Sequence, residues 1–144
     1  MWIIKTFDDL TTRELHVIYK LRVGVFVVEQ SCAYPEVDDA DLTCLHGMKW
    51  ERSALVGYFR LIEAEDGVHL GRVIVAPNFR RTGLGRELVS YALQVARERF
   101  PEMVIHAQAQ AYLENFYASF GFQPVSEVYL EDGIPHLDML IAPS

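Results

Sequence analysis

The sequence predicts a mixed α/β (α+β) fold in which strands and helices share one sheet, and three observations carry that reading. The 144 residues fit a single domain, 1–144, with enough chain for one hydrophobic core. The apolar pattern switches between strand-like runs bounded by turn residues and runs with three- and four-residue spacing. Three strand-like runs also follow one another in the middle of the chain, which argues against the strict alternation of a doubly wound sheet.

Trp2 to Phe7 reads as a short opening strand. Thr11 is placed as a helix N-cap because Glu14 stands three residues on, the spacing of a capping box, with Leu10 and Leu15 positioned as a hydrophobic staple. Leu15, Ile18, Tyr19, Val25 and Phe26 then predict a helix to about Val28. Ser31 to Thr43, with Pro35, Asp38, Asp39 and Asp41, reads as a solvated acidic connection holding one short helical turn. His46–Glu51 and Ala54–Glu63 form a hairpin across Arg52-Ser53, and Val68–Ala76 follows the turn Glu65-Asp66-Gly67. Pro77 stops that strand. Leu84, Leu88, Tyr91, Ala92 and Val95 share one helical face from Gly83 until Phe100-Pro101. Met103–Ala109 is a further strand, and Tyr112–Phe120 a short helix stopped by Gly121. Val125–Leu130 and Ile134–Ile141 close the chain as a hairpin around Asp132-Gly133. The order is β-α-β-β-β-α-β-α-β-β.

Thirteen Lys and Arg against twenty Asp and Glu leave a net charge of −7, so nucleic acid is a poor partner and a cationic amine an easier one. With 51% hydrophobic and 23% charged residues, the composition is that of a globular chain rather than a disordered one. No run approaches the ~20 apolar residues of a membrane helix, and the opening is too short for a signal-peptide core. A soluble, cytoplasmic protein with no membrane partner is the expectation. Cys32 and Cys44 lack metal-ligand spacing and are expected as free thiols, with no metal bound.

The most informative stretch runs from Leu70 to Leu88, where a strand enters a loop rich in Arg and Gly that opens a long amphipathic helix. Unpaired backbone N–H groups at a helix start, with the positive end of its dipole, suit an anion. Gly83 and Gly85 let a phosphate approach the backbone, and Arg80, Arg81 and Arg86 add charge. A Walker loop is excluded because no Lys follows Gly85, and a dinucleotide fingerprint because Leu88 holds its third glycine position. The pattern by itself still leaves a plain turn open beside an anion site.

Arg80-x-x-Gly83-x-Gly85, placed after Val73-Ile74-Val75, resembles the acetyl-CoA signature of the GNAT family of N-acetyltransferases. Asn115-Phe-Tyr117-Ala-Ser-Phe-Gly121-Phe122 is similar to the later helix of the same family, about 30 residues on. Leu21-Arg22, Val25–Gln30, Gly71–Val75, Ala107–Ala109 and Asp132–His136 narrow the likeness to the small ElaA-type branch. The resemblance spans essentially the whole chain. It implies a GNAT fold with a mostly antiparallel central sheet, flanked by helices and splayed to admit acetyl-CoA as co-substrate. It also implies direct acetyl transfer to a primary amine on a small molecule or peptide, with a homodimer as the common assembly.

The resemblance assigns pyrophosphate binding to Arg80, Arg81, Thr82, Gly83, Leu84, Gly85 and Arg86. Val73, Ile74 and Val75 hold the pantetheine and acetyl group, and Asn115 assists. Tyr117 is the expected general acid for the departing thiolate, the alternative being one more core aromatic beside Phe116 and Phe120. For the base, His69 stands four residues before Val73, where some members carry a glutamate; a solvated strand residue is the competing reading. Glu29, Gln30, Arg72 and Gln108 are expected to meet the acceptor, although Arg72 also invites a structural ion pair. His136 is expected as a hydrogen-bonded structural residue within reach of the cleft, and Phe26 and Trp50 as core. A non-catalytic acyl-CoA sensor would keep the Arg80 loop and dispense with Tyr117, and an unrelated nucleotide-binding domain would leave Asn115 and Tyr117 without roles.

Overall fold

A computed structural model describes residues 1–143. Strand β1 (Trp2–Thr6) leads into helix α1 (Thr12–Val23), followed by β2 (Leu45–Glu51), β3 (Ala54–Ala64) and β4 (Gly67–Val75). Helix α2 (Leu84–Arg99), β5 (Ile105–Gln110) and α3 (Glu114–Ala118) come next, then β6 (Gln123–Pro124), β7 (Tyr129–Glu131) and β8 (Ile134–Ile141). The strands form one sheet in the order β1-β2-β3-β4-β5-β8-β6, with β7 also paired to β8. Every pairing is antiparallel except β4 with β5. This is the mixed, mostly antiparallel sheet the sequence predicts.

The expected capping box is present: Thr11 Oγ1 accepts from the Glu14 amide at 3.0 Å, and the Thr11 amide donates to Glu14 Oε1 at 2.9 Å. The α-helix ends earlier than its apolar spacing suggests. From Gly24 to Glu29 the backbone widens into a π-helical turn, which carries Phe26 and Glu29 onto one wall of the cleft described below. The predicted hairpin Arg52-Ser53 forms, with Arg52 at φ +58°. The predicted Tyr112–Phe120 helix is shorter, a 3₁₀ turn at Ala111–Leu113 followed by α3. The two-residue strand β6 was not foreseen, because its Gln and Pro carry no alternation to read.

The sheet has a core on each face. Leu61, Val68, Leu70, Ala107, Leu137 and Met139 pack under α2, whose Leu88, Val89, Ala92 and Ala96 are buried, as the apolar spacing from Leu84 predicts. On the other face Ile18 and Val25 cover Met48, Tyr58 and Ile74.

Two irregularities shape the middle of the sheet. Beside β3, the register passes from Tyr58↔Ile74 to Arg60↔Gly71, so Phe59 faces two residues, Arg72 and Val73. This is a β-bulge, and it holds Arg72 at φ +50°, a region that a non-glycine residue enters at a cost of roughly 1–3 kcal/mol. On the other side of β4, only Val68, His69 and Leu70 pair with β5, against Ile105, His106 and Ala107. Beyond Leu70 and Ala107 the strands part.

Candidate active site

The parting of β4 from β5 opens a cleft of about 670 Å³, within the usual range for a small-molecule site. Gly71 to Val75 line it with the edge of β4 that β5 leaves unpaired. A row of free backbone donors and acceptors suits an extended, amide-bearing ligand that adds to the sheet as a strand would.

At one end lies the loop before α2. Gly83 caps the helix at φ +85° with no side-chain cap, which leaves the first N–H groups of a 16-residue helix unclaimed by the chain's own side chains. Arg81 also takes a positive φ, +64°, and Thr82 Oγ1 donates to the Phe79 carbonyl at 2.6 Å, tightening the loop. A Cβ on Gly85 would meet Phe116 and Val75 only at 3.9 Å, so no close packing dictates a glycine there.

Arg80 pairs with Glu29 through two bonds of 2.6 and 2.9 Å, and its Nε donates to the Val75 carbonyl at 3.2 Å. Both side chains stay open to solvent, 39% and 45% exposed, and the Arg80 hydrogen bonds hold the Glu29 carboxyl below the ordinary 4.5. Arg86, expected beside the phosphates, instead packs its guanidinium 4.7 Å from the Phe120 ring centroid and donates to Ser119 Oγ at 3.1 Å. That contact docks α2 on α3.

Helix α3 places Tyr117 in the cleft wall, with Phe116 and Phe122 edge-on at 5.4 and 5.7 Å. The residue is 6% exposed, and burial pushes its phenol up to about 12. Its hydroxyl has no hydrogen-bond partner among the described residues and is not one of the buried polar atoms left unpaired, so it keeps some access to solvent on a residue that lines the cleft. Asn115 is exposed on the same short helix and is not among the cleft-lining residues.

Gln30 and Gln108 line the cleft as expected. Gln30 Oε1 accepts from Gln110 at 3.3 Å, and Gln108 donates to the Tyr129 hydroxyl at 2.8 Å. Tyr34, Gln110 and His136 share the lining and are among the wall residues that sequence patterning left without a substrate role.

Two expectations are corrected. His69, the expected base, does not line the cleft: its Nε2 lies 2.8 Å from Asp66 Oδ1 and its ring stacks on His106 at 4.5 Å. His106 Nε2 bonds the Asp66 carbonyl at 2.8 Å, so the two imidazoles clamp the β3–β4 turn. The acidic loop is solvated only in part: Asp38 and Asp39 are exposed, but Asp41 is not. Asp41 and Glu36 are buried, and with Asp38 they neutralise Arg22, Arg60 and Arg72. Glu36 is the junction. Its Oε2 accepts from Arg22 Nε at 2.8 Å and Arg72 Nε at 2.7 Å, and its carbonyl accepts from both side chains again at 3.1 and 2.8 Å. Arg72, expected at the acceptor, is thus tied from the bulge into a buried ion network while it also lines the cleft. The signal that points to Glu36 in the sequence is the presence of three arginines on elements that pack into the core.

The family model described as an acetyltransferase (GNAT) domain matches residues 25–142. A UPF0039 protein of Schizosaccharomyces pombe is 45% identical over 141 residues, covering 96% of this chain and 94% of its own. The crystal structure of an acyl-CoA N-acyltransferase from Pseudomonas aeruginosa superposes with a TM-score of 0.95 at 42% identity, covering 99% of both chains. That of Escherichia coli ElaA does so with a TM-score of 0.95 at 40% identity, covering 98% of this chain and 99% of its own. The unpaired edge of β4, the open start of α2 and the phenol between them thus sit in a fold shared almost residue for residue with these proteins, and the chain belongs to the GNAT acetyltransferase family.

Proposed function

We propose that the protein transfers an acetyl group from acetyl-CoA to a primary amine, directly and without a covalent enzyme intermediate. The observation that carries this reading is the cleft opened where β4 leaves β5, lined by Arg80 at the start of the loop before α2 and by Tyr117. The pantetheine amides bond the free edge of Val73 to Val75 as an added strand. Arg80, Arg81, Thr82 and the amides of Gly83 to Arg86 hold the pyrophosphate, with Asn115 beside the arm. Arg80 exchanges its Glu29 partner for phosphate oxygens; the pair is exposed, so little is lost in breaking it. The Arg86 charge stays close even though its side chain is engaged with Ser119.

Transfer needs a neutral amine, a polarised carbonyl and a protonated leaving group. The bulge at Arg72–Val73 turns the β4 amides toward the acetyl oxygen, and the Glu36–Arg72 bonds hold that bulge in place. As the C–N bond forms and the C–S bond breaks, the sulfur takes the Tyr117 proton. Burial keeps the phenol protonated until the thiolate forms beside it. The carboxylates of Glu131 and Asp132 at the cleft rim favour a positively charged amine on a small molecule or peptide.

The test is free-thiol release from acetyl-CoA across a panel of polyamines, aminoglycosides, amino acids and lysine-bearing peptides. Release with one amine class, falling about 10²–10⁴-fold in Tyr117→Phe without loss of acetyl-CoA affinity, is the expected result. Unchanged turnover in Tyr117→Phe refutes the general-acid role. Acetyl-CoA binding with no release on any amine shifts the reading to an acyl-CoA sensor.

A further inference from the structure

Alternation along the strands shows that the cleft passes through the sheet. Ala107, Ala109, Leu137 and Met139 point into the core under α2, where Tyr117 also lies. Gln108, Gln110 and His136, each next to one of these in sequence, face the opposite side, toward Gln30 and Phe26. A thioester that reaches Tyr117 from the α2 face leaves its carbonyl open to attack from the α1 face. The leaving group and the incoming amine are then served by different walls.

Resting on the acetyl-transfer reading above, we infer that His136 is the proton acceptor for the attacking amine. Its Nδ1 lies 2.7 Å from the Ile134 carbonyl, which only accepts, so Nδ1 carries the proton and the neutral ring presents a bare lone pair at Nε2. Nε2 has no hydrogen-bond partner among the described residues, and it is not one of the two buried polar atoms left unpaired, Glu36 Oε1 and Arg60 Nε. It is therefore accessible to solvent, on a residue that lines the cleft. The Tyr129 ring stacks on the imidazole at 6.5 Å, and the Tyr129 hydroxyl is fixed in turn by Asp138 at 2.5 Å and Gln108 at 2.8 Å. The ring is thus braced from β7, β5 and its own strand.

The other ionisable groups of the cleft serve less well. Glu29 is held in its ionised form by Arg80. Burial pushes the Tyr34 phenol up, keeping it protonated. Arg72 has no lone pair to offer, and Glu131 and Asp132 are exposed carboxylates of the turn. Cys32 Sγ is turned to the Asp132 carbonyl at 3.6 Å.

In the transfer step the amine nitrogen bonds the acetyl carbon, the C–S bond breaks, and the amine's surplus proton passes to His136 Nε2. The thiolate takes the Tyr117 proton. One proton then returns from imidazolium to phenolate through solvent, restoring both groups.

His136→Asn tests this, because the asparagine amide keeps a donor where Nδ1 stands and removes the Nε2 lone pair. Acetyl-CoA binding by calorimetry is expected to match the parent. Turnover with the fastest amine of the panel is expected to fall about 10²–10⁴-fold, with a smaller loss on weakly basic amines, whose bonded nitrogen gives its proton to water more readily. Nitrogen spectra of the histidine rings in the acetyl-CoA complex are expected to show the Nδ1–H form at His136. Parent-like turnover in His136→Asn, or an Nε2–H ring whether or not any amine reacts, overturns the assignment while leaving acetyl transfer intact. Failure of the parent protein to bind acetyl-CoA overturns the acetyl-transfer reading instead.

Discussion

Two sets of ion pairs lie along the same cleft and differ in almost every physical respect. Behind the bulge, Arg22, Arg60 and Arg72 meet Glu36, Asp38 and Asp41; Arg22 and Asp41 are 0% and 1% exposed and Glu36 3%. At the mouth, Arg80 meets Glu29 in open solvent. Burial makes the first set compulsory, because removing one partner strands a charge where water cannot reach it. Exposure makes the second exchangeable, since an ion pair screened by solvent contributes little to stability. The same pairing chemistry is scaffold in one place and, in the proposed reading, a docking point in the other.

The largest effect is expected from Glu36→Ala, which strips Arg22 and Arg72 of a shared acceptor. A loss of about 3–5 kcal/mol in urea unfolding is expected, against less than about 1 kcal/mol for Glu29→Gln. Equal losses in the two variants would erase the distinction between the two sets.

Arg80→Ala separates the sets in the opposite sense. Acetyl-CoA affinity is expected to fall about ten- to hundredfold, the range of one charged hydrogen bond, while unfolding stays within about 0.5 kcal/mol of the parent. Unfolding in acid sharpens the comparison further. Burial raises the Asp41 carboxyl, but the hydrogen bonds and charges of Arg22 and Arg60 outweigh it and hold it below 3.8. Arg60 likewise holds Asp38 below 3.8. Both groups are ionised in the fold at pH values where the unfolded chain already binds protons. Their stabilisation is therefore complete above about pH 4 and is lost as pH falls through their lowered values. Burial also depresses His46, whose Nε2–H donates to the Asp41 carbonyl at 2.9 Å. The unfolded chain takes up that proton first, so a milder loss begins below the ordinary 6.5. Denaturant midpoints measured across this range are expected to fall in two stages, and Asp41→Asn is expected to remove part of the lower one. The smallest effect belongs to Arg86→Ala, about 1 kcal/mol from the lost contact with Phe120, read as a modest drop in Tm.

The elements carrying strong local signals were legible in the sequence. The capping box at Thr11, the apolar face from Leu84 to Val95 and the turn at Arg52-Ser53 each depend on a few neighbouring residues, and each stands where expected. The GNAT fold rested on two spaced motifs and the ElaA-type resemblance on five short segments, and both were likewise readable. What escaped depends on contacts far apart in the chain. Asp41 looked solvated with its neighbours because its partners Arg22 and Arg60 come from two other elements. His69 looked catalytic by its distance from Val73, yet Asp66 and His106 claim its face of the strand. Strand β6 has only two residues, too few for any period to show.

Calorimetric titration of acetyl-CoA into the parent protein and Arg80→Ala, with ATP and NADH as controls, tests the central claim most directly. Saturable binding by the parent, weakened in Arg80→Ala and absent for the controls, is the expected result. No heat of binding with acetyl-CoA, or equal binding of ATP, would contradict it and leave the loop before α2 as only a turn.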